Sequence, residues 1–155
     1  MRLFTASEVD SRLVSRLQQC IDDLRRRAAT APGARITWVS ADHLHITVRF
    51  IGEVDETRAA AVASTLESPV GIAPFDVTVR GVGTFPPRGA PRVIWAGIEH
   101  GGEPLRQVAD EISGRLEHVG FGRDDRPYRP HITLARVRDA TGLRSQILQI
   151  GRAHV

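Results

Sequence analysis

No lysine occurs anywhere in this 155-residue chain, so every one of its 21 basic residues is an arginine. A nucleotide ligase that forms a lysyl-adenylate, a P-loop with its phosphate-binding lysine and a Schiff-base enzyme all need that missing amine. Those mechanisms are excluded. A single cysteine, Cys20, cannot close an internal disulfide. No apolar run approaches the length of a membrane span, and the first residues lack the basic-then-apolar layout of a signal peptide. The expectation is a cytoplasmic protein with no membrane association. Apolar content of 41% and charged content of 25% are those of an ordinary globular protein, and the length suits one domain with its own core.

What the chain does contain is a repeated tetrapeptide. His45-Ile46-Thr47-Val48 in the first half is echoed by His131-Ile132-Thr133-Leu134 in the second. Alternating polar and apolar residues predict a strand, with His and Thr on one face and the aliphatic pair in a core. A lone strand histidine is by default a structural, hydrogen-bonded residue. Duplication with the same threonine neighbour points instead to a cleft with a histidine on either wall. That arrangement suits acid–base chemistry on a phosphodiester, because imidazole, with an ordinary pKa of about 6.5, serves as either acid or base near neutrality. The threonine hydroxyls can donate to oxygens on which charge develops.

The surrounding pattern is consistent with an internal duplication. A short strand over Arg2–Ala6 precedes a helix capped by Ser7, whose Leu13, Leu17, Ile21 and Leu24 form one apolar face to about Ala29. Strands are predicted over 35–39 and 44–51, and Asp55 caps a short alanine-rich helix. Further strands are predicted over 75–82 and 92–98, joined by a Pro-, Gly- and Arg-rich loop containing Phe85 and Arg88 as candidate substrate contacts. Leu105, Val108, Ile112, Leu116 and Val119 mark a second long helix stopped by Gly120. Each half thus reads as a long helix, a loop, then a strand carrying His-x-Thr. Periodicity alone gives mixed α and β.

With Met1-Arg2-Leu3-Phe4, Trp38-Val39, Gly83-Thr84-Phe85-Pro86, Arg92–Gly97 and Arg129–Arg136, the twin motifs resemble the 2H phosphoesterase superfamily, in particular the RNA 2′,3′-cyclic phosphodiesterases or 2′-5′ RNA ligases. The resemblance implies an α+β, bilobal, duplicated fold with antiparallel sheets lining a central cleft and helices outside. It also implies hydrolysis of RNA 2′,3′-cyclic phosphate ends, with His45 and His131 catalytic and Thr47 and Thr133 on the phosphate. No metal or nucleotide cofactor is implied. The partners would be RNA with a cyclic phosphate end (tRNA fragments or oligonucleotides), met by a monomer. His45 is assigned as the acid at the 3′ oxygen and His131 as the base for water, although the two motifs are equivalent in sequence.

Three arginines are candidate phosphate contacts. Arg136 matches a basic position of the resembled family, but strict alternation puts it on the face opposite His131 and Thr133. Arg49 shares the face of His45 and Thr47 under the same rule, and Arg129 lies just before the second motif. Phe4 and Phe50 are expected in the core, with base stacking as the alternative. Two competing readings are a zinc site built from His43, His45 and His131, and a non-catalytic RNA-end binder or inactive fragment of such an enzyme. The domain is expected to span 1–138. Residues 139–155 carry no strand pattern and are expected to be a truncated or non-native tail.

Overall fold

The computed structural model describes residues 1–143. In order, they form β1 (Arg2–Glu8), α1 (Ser11–Ala28), β2 (Arg35–Trp38), a 3₁₀ turn (Ala41–His43), β3 (His45–Glu53), α2 (Glu56–Thr65), β4 (Thr78–Phe85), β5 (Val93–His100), α3 (Gly102–Glu117) and β6 (His131–Asp139). Their strands make one six-stranded sheet in the order β1-β3-β6-β5-β4, with β2 also on β6, and every pairing is antiparallel.

The sheet has a seam. β3 and β6 pair only at Ile46 and Ile132, the centres of the two motifs. Past that point β2 takes the place beside β6, with Trp38 opposite Ala135 and Ile36 opposite Val137. Two lobes result, β1–β3 and β2–β6–β5–β4, joined at one residue pair. Each has its own core. Leu17, Ile21 and Leu24 of α1 pack with Ile94, Leu134 and Val137 under the larger lobe. Val62 of α2 and Ala109, Ile112 and Leu116 of α3 pack with Val48 under the smaller one. Each long helix therefore covers the lobe built around the other half's motif, which binds the halves into one domain. Each fully buried aliphatic side chain contributes about 2 kcal/mol.

Local chemistry explains the element ends. The first helix starts later than expected: its cap is Asp10, whose Oδ1 accepts from Leu13 N–H at 2.8 Å. Ser7 stays in β1 because that strand keeps pairing with β3 out to Glu8 and His45. Asp55 caps α2 through Arg58 N–H at 2.8 Å, as predicted. Gly120, at φ 86, lets Phe121 N–H return to the Leu116 carbonyl at 3.0 Å and closes the end of α3. β4 lies three residues further along than expected, since its hairpin with β5 requires Phe85 opposite Val93. After β6, Asp139 accepts from Thr141 in a turn and Leu143 packs against the larger core. The rest of the expected tail, 144–155, lies outside the described residues.

Candidate active site

The seam decides the site. With Ile46 opposite Ile132 in an antiparallel pair, His45 stands across from Thr133 and Thr47 across from His131. Both isoleucines are buried, at 3% and 0% exposure, so the four polar side chains share the sheet face that carries no helix. Each histidine belongs to its own lobe, yet the two sit on neighbouring strands, within reach of one phosphate-sized group.

Each ring is fixed in the same way. His45 Nδ1 lies 2.7 Å from the His43 carbonyl, and His131 Nδ1 lies 2.7 Å from the Arg129 carbonyl. A carbonyl only accepts, so Nδ1 carries the proton in both rings and Nε2 is left to exchange one. His45 Nε2 is 3.1 Å from Thr47 Oγ1. Aromatic side chains back both rings. Phe4 stacks on His45 at 5.0 Å between centroids, and Phe85 and Trp95 meet the His131 ring edge-on at 5.2 Å and 6.4 Å. The Trp95 indole fits because Gly83 opposite it has no side chain: a Cβ there would stand 2.3 Å from Cζ2 of the ring.

β-Bulges reverse the expectations for two arginines. In β6, Thr133 pairs with Trp95 but Ala135 pairs with Ile94, so Leu134 is an extra residue. Leu134 and Ala135 are both buried, and Arg136 emerges beside Val93, on the face of His131 and Thr133. Strict alternation had put it on the other side. In β3, Thr47 pairs with Ala6 and Arg49 with Thr5, leaving Val48 extra. Arg49 is thereby turned toward the helices, where its Nη2 donates to the Gly122 carbonyl. It does not share the face of His45 and Thr47, because the bulge breaks the alternation. Phe50 takes its place: it and Phe4 are 50% and 47% exposed on the histidine face, outside the core where they were expected. Arg129 is exposed at the cleft, with its carbonyl committed to His131. His43 lies in the 3₁₀ turn ahead of the strand, its Nδ1 2.7 Å from Ser40 Oγ, and so does not share a strand face with His45. Among the described residues, no three His, Cys, Asp or Glu side chains are grouped to hold a metal ion.

The chain matches the family model described as the 2′-5′ RNA ligase superfamily over residues 10–153. It belongs to that superfamily. The RNA 2′,3′-cyclic phosphodiesterase of Aeropyrum pernix is 39% identical over 72% of this chain and 62% of its own length. That of Thermotoga maritima is 35% identical over 89% of this chain and 71% of its own. This chain thus spans somewhat under two thirds of the first relative and somewhat over two thirds of the second. Among solved structures, TT0787 of Thermus thermophilus superposes with a TM-score of 0.74 at 28% identity, covering 90% of this chain and 75% of that one. Escherichia coli LigT complexed with 3′-AMP gives a TM-score of 0.61 at 26% identity, covering 90% of this chain and 74% of that one.

In this superfamily member a pocket of ≈ 720 Å³, an ordinary size for a small-molecule site, opens beside His131 and Thr47. Thr47, Phe50, Phe85 and His131 line it together with Arg49, with Ala109, Asp110 and Ser113 of α3 and with the charged loop between α3 and β6; His45, Thr133 and Arg136 lie outside its lining. Arg126 beside Asp124 holds that carboxyl below the usual carboxylate range. Tyr128 anchors the loop: its hydroxyl donates to the Thr47 carbonyl at 2.9 Å, and burial pushes its pKa up to about 12. Sequence reading missed Tyr128. Its signal was its position three residues before the second motif histidine as the chain's one tyrosine. Trp95 and Gly83 appeared in the resemblance, but their joint support of His131 did not. No described helix is long and apolar enough to cross a membrane.

Proposed function

We propose that this chain hydrolyses the 2′,3′-cyclic phosphate at an RNA 3′ end to a 2′-phosphomonoester. The observation that carries the reading is the pair of motif histidines on one sheet face, each with Nδ1 tied to a carbonyl and Nε2 left for proton exchange. His131 Nε2 takes a proton from water as the water oxygen bonds to phosphorus. The bond from phosphorus to the 3′ oxygen breaks, and His45 gives that oxygen its proton. Thr47, Thr133 and Arg136 hold the non-bridging oxygens, where charge builds up. The products are a 2′-phosphate and a 3′-hydroxyl; with the 5′-hydroxyl of a second RNA in place of water, the same steps bond that oxygen to phosphorus, break the bond to the 3′ oxygen, which His45 protonates, and leave a 2′-5′ linkage. The enzyme acts as a cytoplasmic monomer on oligonucleotides or tRNA fragments, using these side chains and no metal.

The test is incubation with a short RNA ending in a 2′,3′-cyclic phosphate, followed by identification of the product. His45→Ala and His131→Ala should each slow turnover roughly 10²–10⁴-fold, the usual contribution of one general acid or base. Because both act in one transition state, the double substitution should cost less than the product of the singles. Cyclic phosphate bound but recovered unchanged would replace the enzyme with an RNA-end binder. Near-normal turnover in either single variant would end the paired-histidine mechanism.

A further inference from the structure

We propose that the RNA chain upstream of the cyclic end leaves the histidines along β6 and crosses the open face of the larger lobe, its phosphates held by Arg136, Arg138, Arg35 and Arg88. This rests on the cyclic phosphodiesterase reading and adds a direction to it.

Two sets of arginines flank the cleft. Four on α3 and the loop after it are paired: Arg106 with Glu103 at 3.2 Å, Arg115 with Glu111 at 2.5 Å, Arg123 with Glu117 at 2.9 Å and Arg126 with Asp124 at 3.1 Å, while Arg129, just before His131, makes no salt bridge among the described residues. On the larger lobe Arg80 is paired with Glu99 at 2.6 Å, but Arg35, Arg88, Arg136 and Arg138 are exposed, and among the described residues none of these four makes a salt bridge or a side-chain hydrogen bond. They are also contiguous. Arg136 follows the bulge on the histidine face, and Arg138 lies two residues further along β6. Arg35 pairs in register with Asp139, and Arg88 lies in the turn between β4 and β5; Arg92 stands across from Val137, which is buried on the helix side, and is not part of the set. Asp139 is the one carboxylate in this group; its Oδ1 accepts from Thr141, and these bonds, with a smaller contribution from the nearby Arg35, hold its pKa below the usual carboxylate range.

The smaller lobe offers less. Beside the histidines it presents Glu8, in register with His45, and the rings of Phe4 and Phe50, while Arg49 is tied to the Gly122 carbonyl; only at its far end does Arg2 stand opposite Glu53, which the N-terminal amine also meets at 3.8 Å. A polyanion leaving the histidines meets Glu8 and two phenyl rings on one side and four guanidinium groups without a salt bridge on the other. Coulombic attraction selects the second. From His131 to Arg138 the strand rises about 23 Å at ~3.3 Å per residue. Eight nucleotides cover that distance even when stacked at about 3.4 Å each.

The experiment compares a nucleoside 2′,3′-cyclic phosphate with an eight-nucleotide RNA carrying the same end. The enzymes are the unaltered chain, a variant with Arg35→Gln, Arg88→Gln and Arg138→Gln, and a control with Arg12→Gln, Arg16→Gln and Arg27→Gln. The control loses the same charge from α1, on the far side of the sheet. The lobe variant should raise KM for the eight-mer roughly 30-fold at low salt and flatten its salt dependence by about 2 logarithmic units per decade, near 0.7 per lost phosphate contact. Its KM for the mononucleotide should stay within about twofold, as should both values for the control. Equal losses in the control, or an unchanged KM for the eight-mer in the lobe variant, would overturn the path. If the unaltered chain turns over neither substrate, the hydrolase reading fails. The path is then judged by fluorescence anisotropy with a 3′-phosphorylated eight-mer, and is overturned if the lobe variant binds it as tightly as the unaltered chain.

Discussion

Replacing Gly83 with alanine should damage catalysis from a distance, and the structure sets the scale. The new Cβ would lie 2.3 Å from Cζ2, 2.5 Å from Cη2 and 2.8 Å from Cε2 of Trp95. Carbon atoms rest about 3.5–4.0 Å apart, so the indole must retreat by more than ~1 Å. Trp95 stacks on Phe85 at 5.1 Å, and both rings bear on His131, so the imidazole loses its support. Overpacking of this kind typically costs about 1–3 kcal/mol of stability. A displacement near 1 Å of a reacting group costs up to about 100-fold in rate. Gly83→Ala should therefore lower kcat on a nucleoside cyclic phosphate by roughly 10–100-fold, with KM little changed, and lower the urea midpoint. Gly122→Ala is the control, because nothing lies within 4 Å of its would-be Cβ and its φ is not positive. A Gly83→Ala protein that loses stability yet keeps full kcat would refute the idea that Trp95 and Phe85 position His131.

The bulges predict a contrast between two arginines: Arg136→Ala should weaken turnover of cyclic phosphate about tenfold or more with little loss of stability. Arg49→Ala should do the reverse, lowering the urea midpoint by removing the tie to Gly122. Tyr128→Phe should cost about 1 kcal/mol and lower kcat, because it releases the loop before His131 from the Thr47 carbonyl. The same tyrosine sets an alkaline limit. Its pKa of about 12 lies above the ordinary value of about 10, so the unfolded chain gives up the proton first. The stability this contributes is complete below pH ~10 and lost as pH rises toward ~12. Since the chain has one tyrosine, near-ultraviolet titration of phenolate in folded and urea-unfolded protein reads the shift directly; identical titrations would contradict the buried hydroxyl. The pH–rate profile should be bell-shaped, with one imidazole neutral and the other protonated. It should be unchanged by chelator; loss of activity in EDTA with recovery on zinc would favour a metal mechanism.

Much of this protein is legible locally. Alternation of His45, Ile46, Thr47 and Val48, repeated at His131, fixes a strand and the face of each side chain over those four residues. The spacing of Leu13, Leu17, Ile21 and Leu24 fixes a helix and the face it buries. Asp55 and Gly120 mark helix ends because capping involves only the nearest backbone groups. Such features need no knowledge of distant neighbours.

What failed was everything set by a partner strand. The sites of Arg49 and Arg136 depend on extra residues at Val48 and Leu134. A bulge arises from mismatch between two paired strands, so neither strand's own sequence announces it. Ser7 looked like a cap, but pairing of Glu8 with His45 held the chain extended past it. Gly83 is a gap defined by Trp95 across the hairpin, and Tyr128 reaches a carbonyl 81 residues away in sequence. Local sequence therefore determined which groups could do the chemistry. Long-range pairing of the sheet decided which of them share one face, because register is shared by two strands and written in neither alone.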